Sequence, residues 1–466
     1  MINLVTTDNN NGKLLPELYE DGLTPKEPQY KDLSKIANAT VEELSQNNAS
    51  LLIFPKILGE HCDDIDELPI FTMSGSEDAL DAVKITTGNL MGFIGCGNTQ
   101  LEITSRFTKK TCEDYFLHYM LQKVFAINLF DLSHTTSEDG QFDFLIYLFP
   151  ALLKRAVSQG IFKTYQSYKR NNANVKGVID VSRHIRENNP FKGNISYSTR
   201  ERTYDNYLIE LIRHTIEVIK TKPNGKNVLS NDDETKKAVS FIIDLTESYN
   251  SRDREIIISK NSKPINHPYF TAYKPLQKLC ISILRHQKLK YGNDSKKVYG
   301  ILFDGAWLWE EYLATMLKEI GFKHPKNKEN SGGIRMFDNY STEIMFDKNY
   351  RRIYPDFYKP EAFILDAKYK HLNGGVGRED LYQVVSYMHT MHIDKGGFLY
   401  PNAADEDSGI VTYKLAGYGG TISILGLNIP QVARSSQDFK KLIQEEENIL
   451  IERIRQVENQ DFSEII

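Results

Sequence analysis

Two aspartates and a lysine are spaced so that they could act together on a phosphodiester. Asp356 follows a proline in a short β-prone run, and Asp366 and Lys368 follow the apolar run Ala362-Phe-Ile-Leu365. Residues i and i+2 of a strand point to the same face, so Asp366 and Lys368 are expected to emerge together. A short turn between the two runs would bring Asp356 beside them on a neighbouring strand.

These three side chains suit hydrolysis assisted by Mg²⁺. Mg²⁺ prefers hard oxygen ligands and keeps several of its waters, so Asp356 and Asp366 could hold it and leave room for a phosphate oxygen and a water. The metal polarises the phosphate and eases deprotonation of the water. The ammonium of Lys368 could steady the developing charge or position that water. Asp-x-Lys is also common at solvated strand ends, so the pattern alone leaves both interpretations open.

Three further features favour a site. Glu310, in the helix Trp307-Leu-Trp-Glu-Glu-Tyr312, could add a third carboxylate, although an ordinary surface glutamate fits the same pattern and Glu311 is adjacent. Gln383 and Tyr387 are four residues apart and so share one face of the next helix. The order helix, strand, strand, strand, helix, strand would place all these groups around one end of a small mixed sheet.

The elements that must position these groups can be read from apolar periodicity. In the last third of the chain we predict helices over residues 304–320, 378–392 and 436–457, and strands near residues 342–346, 352–358, 362–369, 397–400, 411–414 and 421–425. Upstream we predict strands at 50–58 and 175–181, two strands within 88–107 around a glycine-rich turn, and helices at 111–127, 141–158, 204–221, 235–248 and 275–286.

The fold class expected from these elements is α+β with several domains. A chain of 466 residues exceeds one ordinary core, so two or three domains are expected. We predict a β-containing N-terminal region that binds a partner at residues 1–140, a mainly helical middle region at 141–298, and a domain carrying the carboxylates and lysine at 299–466. The last would contain a mixed sheet flanked by helices.

Composition limits the function classes. The formal net charge is −5, whereas a protein that grips long DNA alone usually carries a basic excess, so DNA contact needs a local basic patch or a partner. One candidate patch has basic residues interleaved with Tyr165 and Tyr168, and a solvated face is an equal alternative for it. Its basic members are Lys163, Lys169, Arg170 and Lys176.

Several other classes are not expected. The four cysteines have no zinc or redox spacing and fit a reducing cytoplasm. The chain contains no Gly-x-x-x-x-Gly-Lys-Ser/Thr motif, so no P-loop nucleotide site is expected. Neither a signal peptide nor an apolar run of membrane-spanning length is present, which predicts a cytoplasmic protein that does not enter a membrane.

At this point the residues resemble a known group of enzymes. Their order resembles the RecB-like branch of the PD-(D/E)xK nuclease superfamily, in the motif residues Glu310, Pro355-Asp356, Asp366-Ala-Lys368 and Gln383-x-x-x-Tyr387. Three longer stretches resemble the McrC family, the nuclease subunit of McrBC-type restriction systems, and in particular its variant in LlaJI-like systems: Phe303-Asp-Gly-Ala-Trp-Leu-Trp-Glu310, Leu365-Asp-Ala-Lys-Tyr-Lys370 and Asp380-Leu-Tyr-Gln-Val-Val-Ser-Tyr387.

The resemblance spans about residues 85–425. Upstream it rests on Gly92-Phe-Ile-Gly95, Leu101-Glu-Ile-Thr-Ser-Arg106, Val175-Lys-Gly-Val-Ile-Asp180 and Arg200-Glu-Arg-Thr-Tyr-Asp-Asn206, while the first 80 residues match nothing in the family. One departure is Leu308-Trp-Glu310, where the family often has Leu-Phe-Glu, and this leaves Glu311 as an alternative to Glu310.

The resemblance implies a Mg²⁺-dependent endodeoxyribonuclease. Its metal ligands would be Asp356, Asp366 and Glu310, and Lys368, Gln383 and Tyr387 would complete the catalytic set. The implied partners are an AAA+ GTPase of the McrB type, which would bind the GTP, and double-stranded DNA, often methylated. Dimerisation through the nuclease domain is a further expectation.

Two alternatives remain open at the level of sequence. One is a stand-alone RecB-like nuclease, and the other is a non-catalytic scaffold that stimulates a GTPase. For the partner-bound form, we expect the segment Gly88–Phe107 to make the contact, as a hairpin that reaches into a ring and carries Arg106 towards a nucleotide. A buried structural arginine is an equally good reading of Arg106.

Overall fold

The computed structural model describes residues 2–19, 23–48, 51–56, 65–108, 114–125, 138–222, 225–230, 232–289, 298–325, 332–336, 352–372, 375–403, 409–417 and 419–460, with the backbone alone at 138–144 and 286–289. Contacts divide the chain into two compact units. The first comprises Met1–His134 with Asp294–Ile466, and the second comprises Thr135–Asn293. The predicted regions 1–140 and 299–466 thus share one unit, and their boundaries remain a prediction.

The N-terminal part of the first unit is built from short strands and three helices. They are β1 (Ile2–Thr7), β2 (Lys13–Leu14), α1 (Glu27–Ser34), α2 (Val41–Asn47), β3 (Leu51–Phe54), β4 (Phe71–Ser74), β5 (Lys84–Thr87), β6 (Leu90–Cys96), β7 (Thr99–Thr104) and α3 (Tyr115–Phe125). The predicted strand at 50–58 and the hairpin within 88–107 are confirmed as β3 and as β6 with β7. Gly97 has a φ of 61°, the left-handed value that the tight turn requires.

The second unit contains more helix than strand. Its elements are α4 (Glu138–Ser158), β8 (Thr164–Asn172), β9 (Val178–Ile179), α5 (Val181–Glu187), β10 (Ile195–Thr203), α6 (Tyr207–Lys220), α7 (Gly225–Val228), α8 (Asp233–Leu245), α9 (Arg254–Lys260) and α10 (Tyr273–Leu289). The helices predicted at 141–158, 204–221, 235–248 and 275–286 are confirmed. The predicted strand at 175–181 is wrong in extent, because Asp180 caps α5 by accepting from the Arg183 backbone N–H.

Two long strands of this unit were not predicted. β8 and β10 pair antiparallel over nine residues each, and β9 adds a third strand beside β10. Their sequences, Thr164-Tyr-Gln-Ser-Tyr-Lys-Arg-Asn-Asn172 and Ile195-Ser-Tyr-Ser-Thr-Arg-Glu-Arg-Thr203, are polar on both faces. Apolar alternation, the signal for a half-buried strand, is therefore missing from them.

The remainder of the first unit returns to alternating strands and helices. It comprises β11 (Val298–Asp304), α11 (Gly305–Leu317), β12 (Ile334–Arg335), β13 (Arg352–Ile353), β14 (Phe357–Lys359), β15 (Phe363–Ala367), α12 (Arg378–Met391), β16 (Lys395–Asn402), β17 (Ile410–Lys414), β18 (Thr421–Asn428) and α13 (Ser436–Asn459). The predicted strand at 352–358 is two strands in different sheets, since β13 pairs with β12 and β14 pairs with β15. The strand predicted near 342–346 lies outside the described residues.

Two five-stranded mixed sheets organise the first unit. One has the order β1-β7-β6-β11-β3, so β11 from the C-terminal part is an internal strand of the N-terminal sheet. The other has the order β14-β15-β16-β18-β17, with β15, β16 and β18 parallel and an antiparallel strand at each edge. Residues 363–366 of β15 are buried on both faces, as expected of a parallel strand covered by helices.

The expected fold class is confirmed at the level of a mixed α and β protein with more than one compact unit. Among the helices of the described ranges, none has the length and apolar character needed to cross a bilayer.

Candidate active site

Asp366 and Lys368 meet at the end of β15. The carboxylate of Asp366 is 1% exposed, and its Oδ2 lies 2.7 Å from Nζ of Lys368. Strand geometry explains the contact, because alternate side chains point to one face. The backbone N–H of Lys368 donates to the Leu399 carbonyl oxygen at 2.8 Å, so β16 continues to hold the chain just past the end of β15.

Asp356 approaches from the neighbouring strand. It immediately precedes β14, whose antiparallel register places Phe357 opposite Leu365. Oδ2 of Asp356 accepts a hydrogen bond of 2.7 Å from the Ala367 backbone N–H, between Asp366 and Lys368. This bond brings Asp356 to the same end of β15 as the other two residues.

The electrostatics of the three groups are strongly coupled. Burial, and then the charge of Glu310, raise the pKa of Asp356 to about 7. Burial, and then the charge of Asp356, raise the pKa of Asp366 to about 7. Burial lowers the pKa of Lys368, but Asp366 and the other nearby carboxylates outweigh it and raise that pKa above its ordinary value. Lys368 is therefore a cation at neutral pH beside two carboxylates that resist ionisation.

The donor set fits a hard divalent cation held by two carboxylates. Oδ1 of Asp366 is buried without a hydrogen-bond partner among the described residues, while Oδ2 lies 2.7 Å from Nζ of Lys368. Within those same residues, no set of three His, Cys, Asp or Glu side chains is already arranged around a metal position. Mg²⁺ is commonly bound by one or two carboxylates and its own waters, and Asp356 and Asp366 are the two carboxylates that could hold it here.

Glu310 and Glu311 both lie near a residue that the sequence analysis missed, His324. Its Nε2 is 3.8 Å from Oε1 of Glu310 and 3.6 Å from Oε1 of Glu311, while Nδ1 donates to the Asp356 carbonyl oxygen at 2.7 Å. Burial lowers the pKa of His324, but Glu311 and the other acceptors outweigh it and raise that pKa to about 9. The charge of Glu310 raises the pKa of Asp356, and the choice between Glu310 and Glu311 as a third carboxylate stays a prediction.

Gln383 and Tyr387 lie beside the lysine. Nζ of Lys368 donates to Oε1 of Gln383 at 3.5 Å, and Nε2 of Gln383 donates to the Tyr387 hydroxyl at 2.8 Å. The structure also adds Asp380, missed from the sequence, whose Oδ1 lies 3.2 Å from Nζ of Lys368. Its position three residues before Gln383 on the same helix was the available signal. All six predicted site residues thus lie in one neighbourhood, and their roles remain predictions.

Substitution of Gln383 with alanine is expected to lower cleavage about 10–100-fold, because an outer residue that orients a catalytic group typically contributes that much. Gln383 links Lys368 to Tyr387, and its loss frees the lysine to turn away from Asp366. The measurement is kcat under saturating DNA, and the exposed residue Tyr382 of the same helix provides a control as Tyr382→Ala. Equal rates for the Gln383 variant and this control would refute the assignment.

The raised pKa values of Asp356 and Asp366 predict a pH dependence of stability. Both groups have a pKa of about 7 in the folded protein and an ordinary value of 3.8. The folded state therefore holds more protons between these values, and its free energy of unfolding falls as pH rises from about 4 to about 7. Urea unfolding in EDTA at pH 5 and pH 8 tests this. The free energy of unfolding of the Asp366→Asn variant is expected to fall less between these two pH values than that of the wild type. An identical pH slope for the wild type and this variant would contradict the prediction.

The N-terminal sheet supports the end of β15 through Tyr369. The hydroxyls of Tyr369 and Ser105 lie 2.8 Å apart, and the Arg106 guanidinium carbon lies 5.0 Å from the centre of the Tyr369 ring. Arg106 itself is paired with Asp8, with 2.6 Å between Nη2 and Oδ2, and its Nη2 also donates to Asn89. The residue after Lys368 is thus held by the strand ends of another sheet.

This arrangement corrects the expected role of the hairpin. β6 and β7 are internal strands of a five-stranded sheet, and Arg106 is 10% exposed and bound to a buried aspartate. A hairpin with strands on both sides does not project from its sheet, and Arg106 is a structural residue, as the alternative interpretation had it. A contact between Gly88–Phe107 and a partner stays a prediction.

Fold and site together define a mixed α and β protein with a buried pair of carboxylates and a lysine at the end of a parallel strand. Residues 85–401 match the family of McrBC 5-methylcytosine restriction system components. This match covers more than half of the chain, and the protein belongs to that family. The family predicted from the sequence is thereby confirmed.

Two solved structures with chains similar to this one come from Thermococcus gammatolerans. One is the refined half-complex from the tetradecameric assembly of McrB AAA+ hexamers with bound McrC, at 15% identity and a TM-score of 0.41 over 95% of this chain and 99% of the other. The second is the cryo-EM structure of the McrBC complex, at 16% identity and a TM-score of 0.32 over 68% and 87% of the two chains. Both TM-scores are too low to establish a shared fold. None of the curated proteins matches the sequence.

Proposed function

We propose that this chain is the DNA-cleaving subunit of a McrBC-type restriction system, with a PD-(D/E)xK nuclease domain in its C-terminal part. The observation that carries the proposal is the meeting of Asp356, Asp366 and Lys368 at the end of β15. Burial of two carboxylates next to a cation costs stability, since their pKa values are raised to about 7. Carboxylates with strongly raised pKa values beside a specific charged partner cluster at functional sites, which supports this assignment.

In the proposed reaction a phosphodiester of double-stranded DNA is hydrolysed. Mg²⁺, held by Asp356 and Asp366 with Glu310 as a third carboxylate, would supply Lewis-acid polarisation of the phosphate and a more acidic water. Lys368 is charged at neutral pH, so its ammonium can stabilise negative charge on the phosphate or hold the attacking water. Gln383 accepts a hydrogen bond from Lys368 and thereby restricts where the ammonium can lie.

The proposal includes a partner, an AAA+ GTPase of the McrB type that binds the GTP and moves the DNA. Membership in the McrBC family and the absence of a P-loop motif in the sequence support this division of labour. The net charge of −5 also supports it, because a chain with that charge does not grip long DNA by overall electrostatics. Dimerisation through the nuclease domain belongs to the same proposal.

The test is reconstitution with an AAA+ GTPase of the McrB type, sought among the genes next to the one for this chain. We expect added chain to raise GTP turnover by the partner several-fold, and DNA cleavage to require both proteins, GTP and Mg²⁺. Equally fast cleavage by the purified chain without GTP would instead favour a stand-alone nuclease. Stimulated GTP turnover with no cleavage under any condition would favour a non-catalytic scaffold.

A further inference from the structure

One face of the sheet in the second unit carries an unpaired set of cations. The register pairs Tyr165 with Arg202, Ser167 with Arg200 and Lys169 with Ser198, and residues directly opposite each other share a face. Three cations, a tyrosine and two serines therefore lie on one side of β8 and β10. We call this the basic face, and its residues are Tyr165, Ser167, Lys169, Ser198, Arg200 and Arg202.

The basic face is open to solvent. Tyr165 is 61% exposed, and Ser167, Lys169, Arg200 and Arg202 are all exposed. The guanidinium of Arg200 lies over the Tyr165 ring, with 5.2 Å between Cζ and the ring centre. This pair forms a flat, cationic surface in the middle of the face.

The two sides of the sheet differ in whether their cations are paired with carboxylates. On the opposite side Arg170 is neutralised by Glu201 at 2.9 Å. The six positions of the basic face include no carboxylate, and none of its three cations forms an ion pair with any described residue. At the far end of these strands, Glu187, the last residue of α5, accepts a hydrogen bond from the Ser196 hydroxyl.

The like charges of the basic face do not favour folding. Arg200 and Arg202 are two residues apart on one face, and Lys169 lies diagonally across from Arg200, so the three like charges repel one another. Concentration of cations on one exposed face of a protein with net charge −5 is instead the electrostatic footprint of a polyanion site.

We propose that the basic face binds the phosphodiester backbone of double-stranded DNA, in a unit separate from the one that holds Asp356 and Asp366. The inference rests on the proposed function, because it supplies the local basic patch that a DNA-cleaving chain of negative net charge needs. Lys169, Arg200 and Arg202 each neutralise one phosphate, and the hydroxyls of Ser167 and Ser198 donate to phosphate oxygens. Contacts of this kind position DNA without reading its sequence.

The structure divides the basic patch that was expected from the sequence between the two sides of the sheet. Lys169 and Tyr165 belong to the basic face, whereas Arg170 and Tyr168 lie on the opposite side of the sheet. Nζ of Lys163 lies 4.1 Å from the centre of the Tyr204 ring, and both residues lie just beyond the paired ends of β8 and β10. Strand pairing adds Arg200 and Arg202, which the patch expected from the sequence did not include, to the same side as Lys169.

The test measures DNA binding by the full-length chain in EDTA, so that cleavage has no influence on the result. Fluorescence anisotropy of a labelled duplex of about 30 base pairs gives the affinity from low to moderate KCl. The variant Lys169→Gln/Arg200→Gln/Arg202→Gln removes three charges from the basic face. The control Lys226→Gln/Lys236→Gln/Lys237→Gln removes three exposed charges from helices of the same unit.

We expect the basic-face variant to bind about 10-fold or more weakly at low salt, with the control within about twofold of the wild type. The slope of log affinity against log salt concentration should fall by about 0.9 for each lost phosphate contact. The charge-preserving variant Lys169→Arg/Arg200→Lys/Arg202→Lys should retain most of the affinity. Circular dichroism and thermal melting establish that each variant is folded.

Two results would overturn the inference. One is equal affinity and salt slope for the wild type and the basic-face variant, including the case where neither binds DNA. The other is unchanged DNA binding combined with lost stimulation of the GTPase, which would assign the face to an acidic surface of a protein partner. Salt-sensitive binding through this face in a chain that never cleaves DNA would support the inference and refute the proposed function separately.

Discussion

Replacement of Asp366 with asparagine should reduce DNA cleavage by at least about 10³-fold and leave the protein folded. Asparagine keeps the shape of the side chain but removes a charge that would hold the metal. The loss of several kcal/mol of charge stabilisation corresponds to three or more orders of magnitude in rate. Asp356→Asn and Lys368→Ala are expected to have effects of similar size. The measurement is the single-turnover rate of the reconstituted complex at saturating Mg²⁺ and DNA.

The control for this prediction makes the same chemical change at an exposed aspartate of the same unit. Asp394, just before β16, is exposed, and Asp394→Asn should cleave within about twofold of the wild type. Asp366→Asn should also melt at or above the wild-type temperature at pH 8, since it removes a buried carboxylate with a raised pKa. A folded Asp366→Asn protein that cleaves at the control rate would end the assignment of Asp366 to the site.

The second large effect is on stability, at the ion pair of Asp8 and Arg106. Arg106→Ala is expected to lower the free energy of unfolding by about 3–5 kcal/mol, because it leaves a buried carboxylate without its cation. Asp8 is fully buried, and burial raises its pKa to about 6 even with Arg106 beside it. The attraction within the intact pair therefore does not fully offset the free energy needed to bury its charges. Removal of one partner still destabilises the fold, because the other charge stays buried. Chemical unfolding monitored by tryptophan fluorescence measures the change, since both tryptophans are buried in this unit.

Two further variants separate the lost ion pair from the general loss of an arginine. Arg378 is 77% exposed, and its pair with Glu379 is also exposed, so Arg378→Ala should cost less than about 0.5 kcal/mol. In the double variant Asp8→Asn/Arg106→Ala the orphaned charge is absent, so part of the stability should return. A loss of less than about 1 kcal/mol for Arg106→Ala alone would be inconsistent with a buried ion pair at this position.

Arg106→Ala also bears on how the two sheets of the first unit cooperate. Arg106 and Ser105 contact Tyr369, the residue that follows the proposed catalytic Lys368. The N-terminal sheet of this protein thus helps to hold the end of β15, which gives it a structural role distinct from binding a partner.

The sequence by itself determined the features that depend on residues close together in the chain. The period of two residues in a strand placed Asp366 with Lys368, and the helical period placed Gln383 with Tyr387. Apolar periodicity located most helices and the hairpin of β6 and β7. These signals are local, so no knowledge of distant contacts was needed to find them.

Only the tertiary structure decided which distant residues meet. His324 carries no motif, and its hydrogen bond to Asp356 joins residues 32 positions apart in the chain. The basic face depends on strand pairing between residues about 30 positions apart, and β8 and β10 are too polar for the hydrophobic pattern to reveal them. The residues next to Arg106 in the sequence fit an exposed arginine and a buried one equally well. Its pairing with Asp8, almost 100 residues away, determines that it is buried. Contacts of this kind arise from packing and charge between separate elements, which local sequence patterns do not encode.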